Sequence, residues 1–235
     1  MCGRYAAAAD PAALVEEFDI DEEPAVRLPA DFNVAPTKPA YIVTAETDPE
    51  SGVPAAGGAN RALKVARWGL VPSWAKDPSV GSRMINARCE TVDQKPSFRS
   101  AFARRRCLVP ALGYYEWQGA PGAKQPYFIQ ARDHRTLALA GLFEWWTDRT
   151  RAADDPDATR LTFTILTRSA EGSVADIHDR MPVVVQPSLW SAWLDPRSDA
   201  RQQLQACAVP ELSAYPISTA VNSVRNNGPD LIRPQ

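Results

Sequence analysis

Proline is the residue that most restricts this chain. There are 21 prolines in 235 residues, about 9% against a usual ~5%. A proline ring fixes φ and removes a backbone donor, which ends helices and confines the residue to strand ends, edges and turns. The prolines are scattered along the whole chain, so they predict many turns and strand ends rather than a disordered tail. With 45% hydrophobic and 23% charged residues the composition is that of a globular protein, and the length suits a single domain with one sizeable core.

The elements follow from local pattern. Asp10-Pro11 before AALVEEF places a cap, a helix-starting proline and apolar residues at Leu14, Val15 and Phe18, which predicts a short amphipathic helix. Strands are expected at 41–44, 63–70, 107–117, 126–132, 136–146, 161–167 and 181–185, with 107–146 folding as a meander through the turns QGAPGAK and RDHR. The Gly/Pro-rich stretch 46–60 reads as a mobile hairpin loop. SFRSAFARRR (97–106) reads as a helix capped by Ser97 with its arginines outward, and 188–194 and 200–206 as helices turning Trp190, Trp193 and Leu194 to a core. Strands in series with helices inserted, and no βαβ alternation, predict an α+β fold: an antiparallel β-barrel-like core with flanking helices.

The formal charge of −2 does not announce a polyanion binder, but Arg83, Arg88, Arg99, Arg104, Arg105 and Arg106 fall close together. They make either a locally basic face or a set of solvated arginines on one helix. No stretch is long and apolar enough for a membrane span, and the N-terminus lacks a signal-like apolar core. Cys2, Cys89, Cys107 and Cys207 show neither a CxxC pair nor zinc-ligand spacing, which points to a reducing, cytoplasmic setting with no metal.

Cys2 stands out. Removal of Met1 would leave a 1,2-aminothiol, whose amine (pKa ~7.7–8.0) and thiol (~8.5) both have reactive fractions near neutrality. The amine can form an imine with an aldehyde and the thiol can then close a thiazolidine. The same residue could instead be an N-terminal nucleophile of the hydrolase kind, or merely a small early residue. His178, in VADIHDRMPVVV, has Asp176 and Asp179 beside it to orient it and raise its pKa; a structural, hydrogen-bonded histidine is the alternative. Glu116 ends the apolar run CLVPALGYYEW, where desolvation would make it a general base, unless strand alternation turns it to water. Asn33, Asn86 and Arg88 are suited to phosphate and sugar contacts. Around them stand Pro36, Pro72 and Trp74, able to stack or wedge, and Trp68, which reads as core.

Seven ordered motifs join these residues: MCGRY, NVAP, RWGLVPSWAKD, INARCET, RCLVPALGYYEW, DIHDRMPVVV and VNSVRNNGPDLI. Together, from residue 2 to about residue 232, they resemble the SOS-response-associated peptidase (SRAP) family. The resemblance implies a single α+β domain with a barrel-like core and a DNA groove. It implies binding to abasic sites in single-stranded DNA, or at junctions beside it, and covalent capture as a thiazolidine that shields the lesion, with no cofactor; a monomer is expected. Cys2, Glu116 and His178 match the family's catalytic positions. Arg4, Asn33, Pro36, Trp74, Asn86 and Arg88 match its DNA-binding positions. His178 would help open the closed sugar, Glu116 would relay protons, and the imine would permit β-elimination. A self-processing cysteine peptidase that releases Met1 is the alternative activity. Where some members carry two consecutive tryptophans, this chain has Trp74 followed by Ala75.

Overall fold

The computed structural model describes residues 2–45, 60–120, 122–152, 154–155 and 157–235. The expected hairpin loop at 46–60 lies, apart from Asn60, outside them. In chain order the elements are β1 (Arg4–Ala7), α1 (Pro11–Glu17), β2 (Asp31–Val34), β3 (Pro39–Ala45), β4 (Arg61–Trp68), β5 (Asn86–Arg88) and α2 (Arg99–Arg104). There follow β6 (Arg106–Ala111), β7 (Gly113–Gln118), β8 (Gln125–Ala131), β9 (Leu137–Thr147), β10 (Thr159–Ser169), β11 (Arg180–Pro182), α3 (Trp190–Leu194), α4 (Ala200–Ala206) and β12 (Leu212–Pro216). No helix among the described residues is long and apolar enough to cross a membrane.

Five strands close a barrel in the order β10-β4-β3-β6-β9, sealed by the antiparallel β9–β10 pair from Thr159↔Thr147 to Ile165↔Gly141. The expected α+β fold with a mainly antiparallel barrel core is found, and two pairings within it are parallel: β4 and β5 each run parallel to β10. Closure removes the exposed edges that an open sheet would leave. A second, wholly antiparallel sheet of order β12-β8-β7-β1-β2 packs beside the barrel.

The expected strand 107–117 is in fact two strands in different sheets. Ala111 pairs with Leu137 in the barrel, whereas Gly113 pairs with Ala6 in the second sheet. The break falls at Leu112, whose N–H bonds to Ala6 O at 2.8 Å. The run is buried on both sides, so apolar pattern carries no mark of the crossing. The meander fails for the same reason: β8 pairs with β7 and β12, and β9 with β6 and β10.

Local chemistry sets the helix ends. Asp10 accepts from Ala12 N at 2.8 Å and caps α1, and the left-handed Asp19 (φ 52°) turns the chain away after it. The cap of α2 is Phe98, without a side-chain bond, not Ser97. Arg106 reverses expectation entirely. It is 2% exposed, donating from Nε to Trp193 O (2.6 Å), from one terminal nitrogen to Phe102 O (3.0 Å) and Ala103 O (2.9 Å), and from the other to the Asp195 and Ser198 carbonyls. It satisfies carbonyls at the ends of α2 and α3 that have no helical partner. Trp190, Trp193 and Leu194 are buried between barrel and helices, as their spacing predicts.

Gly69 ends β4 with φ +119°, and a Cβ there would stand 2.5 Å from Gly81 O. Only glycine permits this crossing of two backbones. The crossing fixes where the following loop, with Trp74 at 63% exposure, leaves the barrel.

Candidate active site and nucleic-acid interface

Five segments converge on one cleft of about 820 Å³, lined by Gly3, Arg4, Glu116, Trp117, Lys124, His178, Thr219 and Asn222 among others. The first is the chain start. Cys2 and Gly3 lead into β1, which is held antiparallel to β7 by the register Arg4↔Tyr115 and Tyr5↔Tyr114. The pairing therefore carries the first residues alongside Glu116. Asn86, brought in by β5, donates from Nδ2 to Cys2 O at 2.7 Å and pins that start.

Glu116 is 3% exposed: of the two orientations open to a strand residue, it takes the inward one, sharing a face with Tyr114. Burial raises its carboxyl from 4.5 to about 7, because desolvation penalises the charged form. Burial also pushes the Cys2 thiol far up, and the Glu116 charge adds to it. In the chain that still carries Met1, Cys2 is 0% exposed.

His178 lies in the loop before β11, with Nε2 3.9 Å from Glu116 Oε2. Its Nδ1 accepts from Arg180 N at 3.0 Å and also lies 2.8 Å from Asp179 Oδ1. A neutral ring cannot serve both with one nitrogen. The Asp179 side chain is 84% exposed, so the backbone N–H is the firmer partner; Nδ1 then accepts, and the neutral ring carries its proton on Nε2, toward Glu116. The expected upward pKa shift is corrected: burial lowers it, and Asp179 only partly opposes this. Asp176 offers its backbone carbonyl to Gln118 Nε2 at 2.9 Å.

The remaining sequence-derived positions divide. Arg4 lines the cleft but is already engaged: it donates to Asn33 Oδ1 (3.1 Å) and to the carbonyls of Val221 and Asn222, with its guanidinium 5.3 Å from the Trp117 ring centre. Asn33 is 0% exposed and donates to the carbonyls of the loop at 221–226, so it acts through the loop it holds. Arg88 is exposed on β5, two residues from Asn86. Pro36 and Trp74 occupy the loops before β3 and after β4, which the antiparallel register Pro39↔Arg67 puts at one end of the barrel. Pro72 and Trp68 are buried; Trp68 donates to Ile85 O at 2.9 Å and meets Tyr5 edge-on. Ala75 uses its carbonyl to receive Trp146 Nε1 at 2.7 Å. The arginine cluster disperses: Arg105 pairs with Glu144 at 2.7 Å and Arg106 is interior, leaving Arg83, Arg88, Arg99 and Arg104 at the surface.

Sequence reasoning missed Lys124, Trp117, Thr219 and Asn222 as cleft residues. The VNSVRNN motif was a signal for Asn222; Lys124 sat in what read as a plain turn. Among the described residues no three His, Cys, Asp or Glu side chains gather as metal ligands.

The model of the family described as SOS response associated peptidase (SRAP) matches residues 1–224. The chain belongs to this family. It is 37% identical over 239 residues to a Bacillus subtilis (strain 168) protein named abasic site processing protein YoqW, covering 99% of each chain. It is 35% identical over 208 residues to the Gallus gallus abasic site processing protein HMCES, covering 76% of this chain and 59% of that one. A crystal structure of a Bacteroides thetaiotaomicron protein has the same fold, with a TM-score of 0.79 at 23% identity and full coverage of both chains (100% each). That of a phage-related protein from Bordetella bronchiseptica gives a TM-score of 0.67 at 30% identity over 92% of this chain and 94% of the other.

Proposed function

We propose that this protein processes abasic sites in DNA by capturing the open sugar aldehyde on the aminothiol of Cys2, after Met1 is removed. The observation that carries the reading is Glu116: a buried carboxyl with a pKa of about 7 beside the chain start in an open cleft. The names of the relatives support the substrate.

The chemistry balances with one water lost. The Cys2 amine, its proton taken up by Glu116, attacks C1′ of the aldehyde. Glu116 returns a proton to the resulting hydroxyl, which leaves as water and gives the imine. The Cys2 S–H then adds across the C=N bond, forming C1′–S and N–H and closing the thiazolidine. A group with pKa near 7 is matched to giving and taking protons at neutral pH. In the chain that carries Met1, burial holds the Cys2 thiol protonated, which disfavours a self-processing peptidase that would need the thiolate at once. Once a closed sugar occupies the cleft, the His178 Nε2–H that otherwise faces Glu116 donates a hydrogen bond to the sugar ring oxygen, easing ring opening. Asn86 holds the Cys2 backbone, and lowered freedom at the attacking residue cuts the entropic cost of approach. An imine at C1′ also acidifies the C2′ protons, so slow β-elimination is expected at the same site.

The test is incubation of mature protein with a single-stranded oligonucleotide that contains one abasic site, and with the undamaged strand. A denaturation-resistant band should form with the first alone, at the mass of protein lacking Met1 plus DNA minus one water. Its absence would overturn the reading.

A further inference from the structure

The segment Asn222–Asn227 is exposed residue after residue, yet it is pinned from beneath. Asn33 donates from Nδ2 to the carbonyls of Val221 (3.3 Å), Ser223 (3.0 Å) and Asn226 (3.1 Å). Arg4 takes the carbonyls of Val221 and Asn222, and is itself held by Asn33 Oδ1. At the far end Asn227 accepts from Phe32 N (2.8 Å) and donates to Ala30 O (3.0 Å). At the near end Asn222 Oδ1 accepts from Trp117 Nε1 at 2.7 Å, on the wall of the cleft.

These bonds draw carbonyls inward. A trans peptide is planar with N–H opposite C=O, so the same peptide units turn the N–H groups of Val224 and Asn227 outward. Outward amides in a fixed turn are a site for anions. At its tip the loop carries Val224, 50% exposed, and Arg225, which is exposed and forms no ion pair among the described residues. A preformed loop loses little entropy on binding.

We propose that Asn222–Asn227 is a platform for the DNA backbone beside the capture cleft. The outward amides and the Arg225 guanidinium hold a phosphate, and Val224 packs against the adjoining sugar. Asn33 and Arg4 act as positioning residues for the loop. The inference rests on the reading that abasic DNA is the substrate.

Two measurements separate the loop from the chemistry. The first is adduct formation against the concentration of an abasic single strand. The second is fluorescence anisotropy of an undamaged strand over a range of salt, which reads the platform without any adduct. Arg225→Ala should raise the half-saturating concentration several-fold, by more than it lowers the limiting rate. It should also flatten the log–log salt slope by about 0.7, one phosphate contact on a single strand; Arg225→Lys should restore most of that slope. Asn33→Ala should weaken binding as well, and adding Arg225→Ala to it should then cost little more, because the loop is already released. A wild-type half-saturation and salt slope in Arg225→Ala would overturn the platform. An absence of adduct in the unaltered protein would overturn the capture reading instead.

Discussion

The Nε2 atom of His178 stands 3.9 Å from Oε2 of Glu116, with the imidazole shifted down and the carboxyl up to about 7. Burial drives both shifts, and both move the pair toward its uncharged forms. At neutral pH the site thus holds a neutral imidazole and a carboxyl near its midpoint. Glu116 is the group whose protonation changes in the working range, and its proton is the one the mechanism needs.

Glu116→Gln should therefore slow adduct formation by ~10²-fold or more and abolish the rise in rate expected of the unaltered protein as pH passes through about 7. His178→Ala should slow capture of closed sugar far more than capture of a small, already open aldehyde. Single-turnover rates across pH 5–9, read on denaturing gels, check both; an unchanged pH profile in Glu116→Gln would remove that residue from the proton relay.

The same carboxyl sets a stability trend. Its folded-state pKa lies above its ordinary value, so the folded state holds the proton more tightly. Its contribution is full below about pH 4.5 and lost as pH rises through about 7. Glu116→Gln should raise stability at pH 8 by up to about 3 kcal/mol and leave it little changed at pH 4.5, in urea unfolding curves run at both values.

An amino-terminal tag, or retention of Met1, should abolish the adduct while DNA binding persists. The α-amine becomes an amide whose lone pair is delocalised, and a thiol alone forms only a reversible hemithioacetal. Cys2→Ala should give no adduct, and Cys2→Ser at most an imine trapped by borohydride. Intact mass of each reaction decides; a stable adduct on a blocked terminus would implicate a lysine.

Arg106→Met should destabilise the fold by about 3–5 kcal/mol, since it strips donors from carbonyls buried between α2, α3 and the barrel. Arg106→Lys should recover little, because an ammonium cannot span the carbonyls of Phe102, Trp193 and Asp195 at once. Thermal unfolding measures both.

Arg88→Ala should weaken binding of all single strands alike and flatten the salt slope, since phosphate contacts position without specifying sequence. Anisotropy with strands of differing sequence reads this, and a changed base preference at constant slope would contradict it.

By itself the sequence determined the elements whose cause is local: the Asp10-Pro11 start of α1, the strands at 41–44 and 161–167, and the inward faces of Trp190 and Trp193. It also determined the residues whose chemistry is their own, above all the aminothiol latent in Cys2 and the carboxylate at the end of an apolar run. What it could not carry was anything depending on partners far away in the chain. CLVPALGYYEW reads as one strand because it is buried on both faces, and only pairing with Leu137 and then with Ala6 divides it between two sheets. ARRR reads as an outward basic stripe, and only the carbonyls of Trp193, Asp195 and Ser198 turn Arg106 inward. His178 reads as raised by its acidic neighbours, yet Asp179 faces water and burial decides the sign. Period and propensity record which face is apolar; desolvation and hydrogen-bond demand are set by the elements that close over it, and those are fixed only when the barrel shuts.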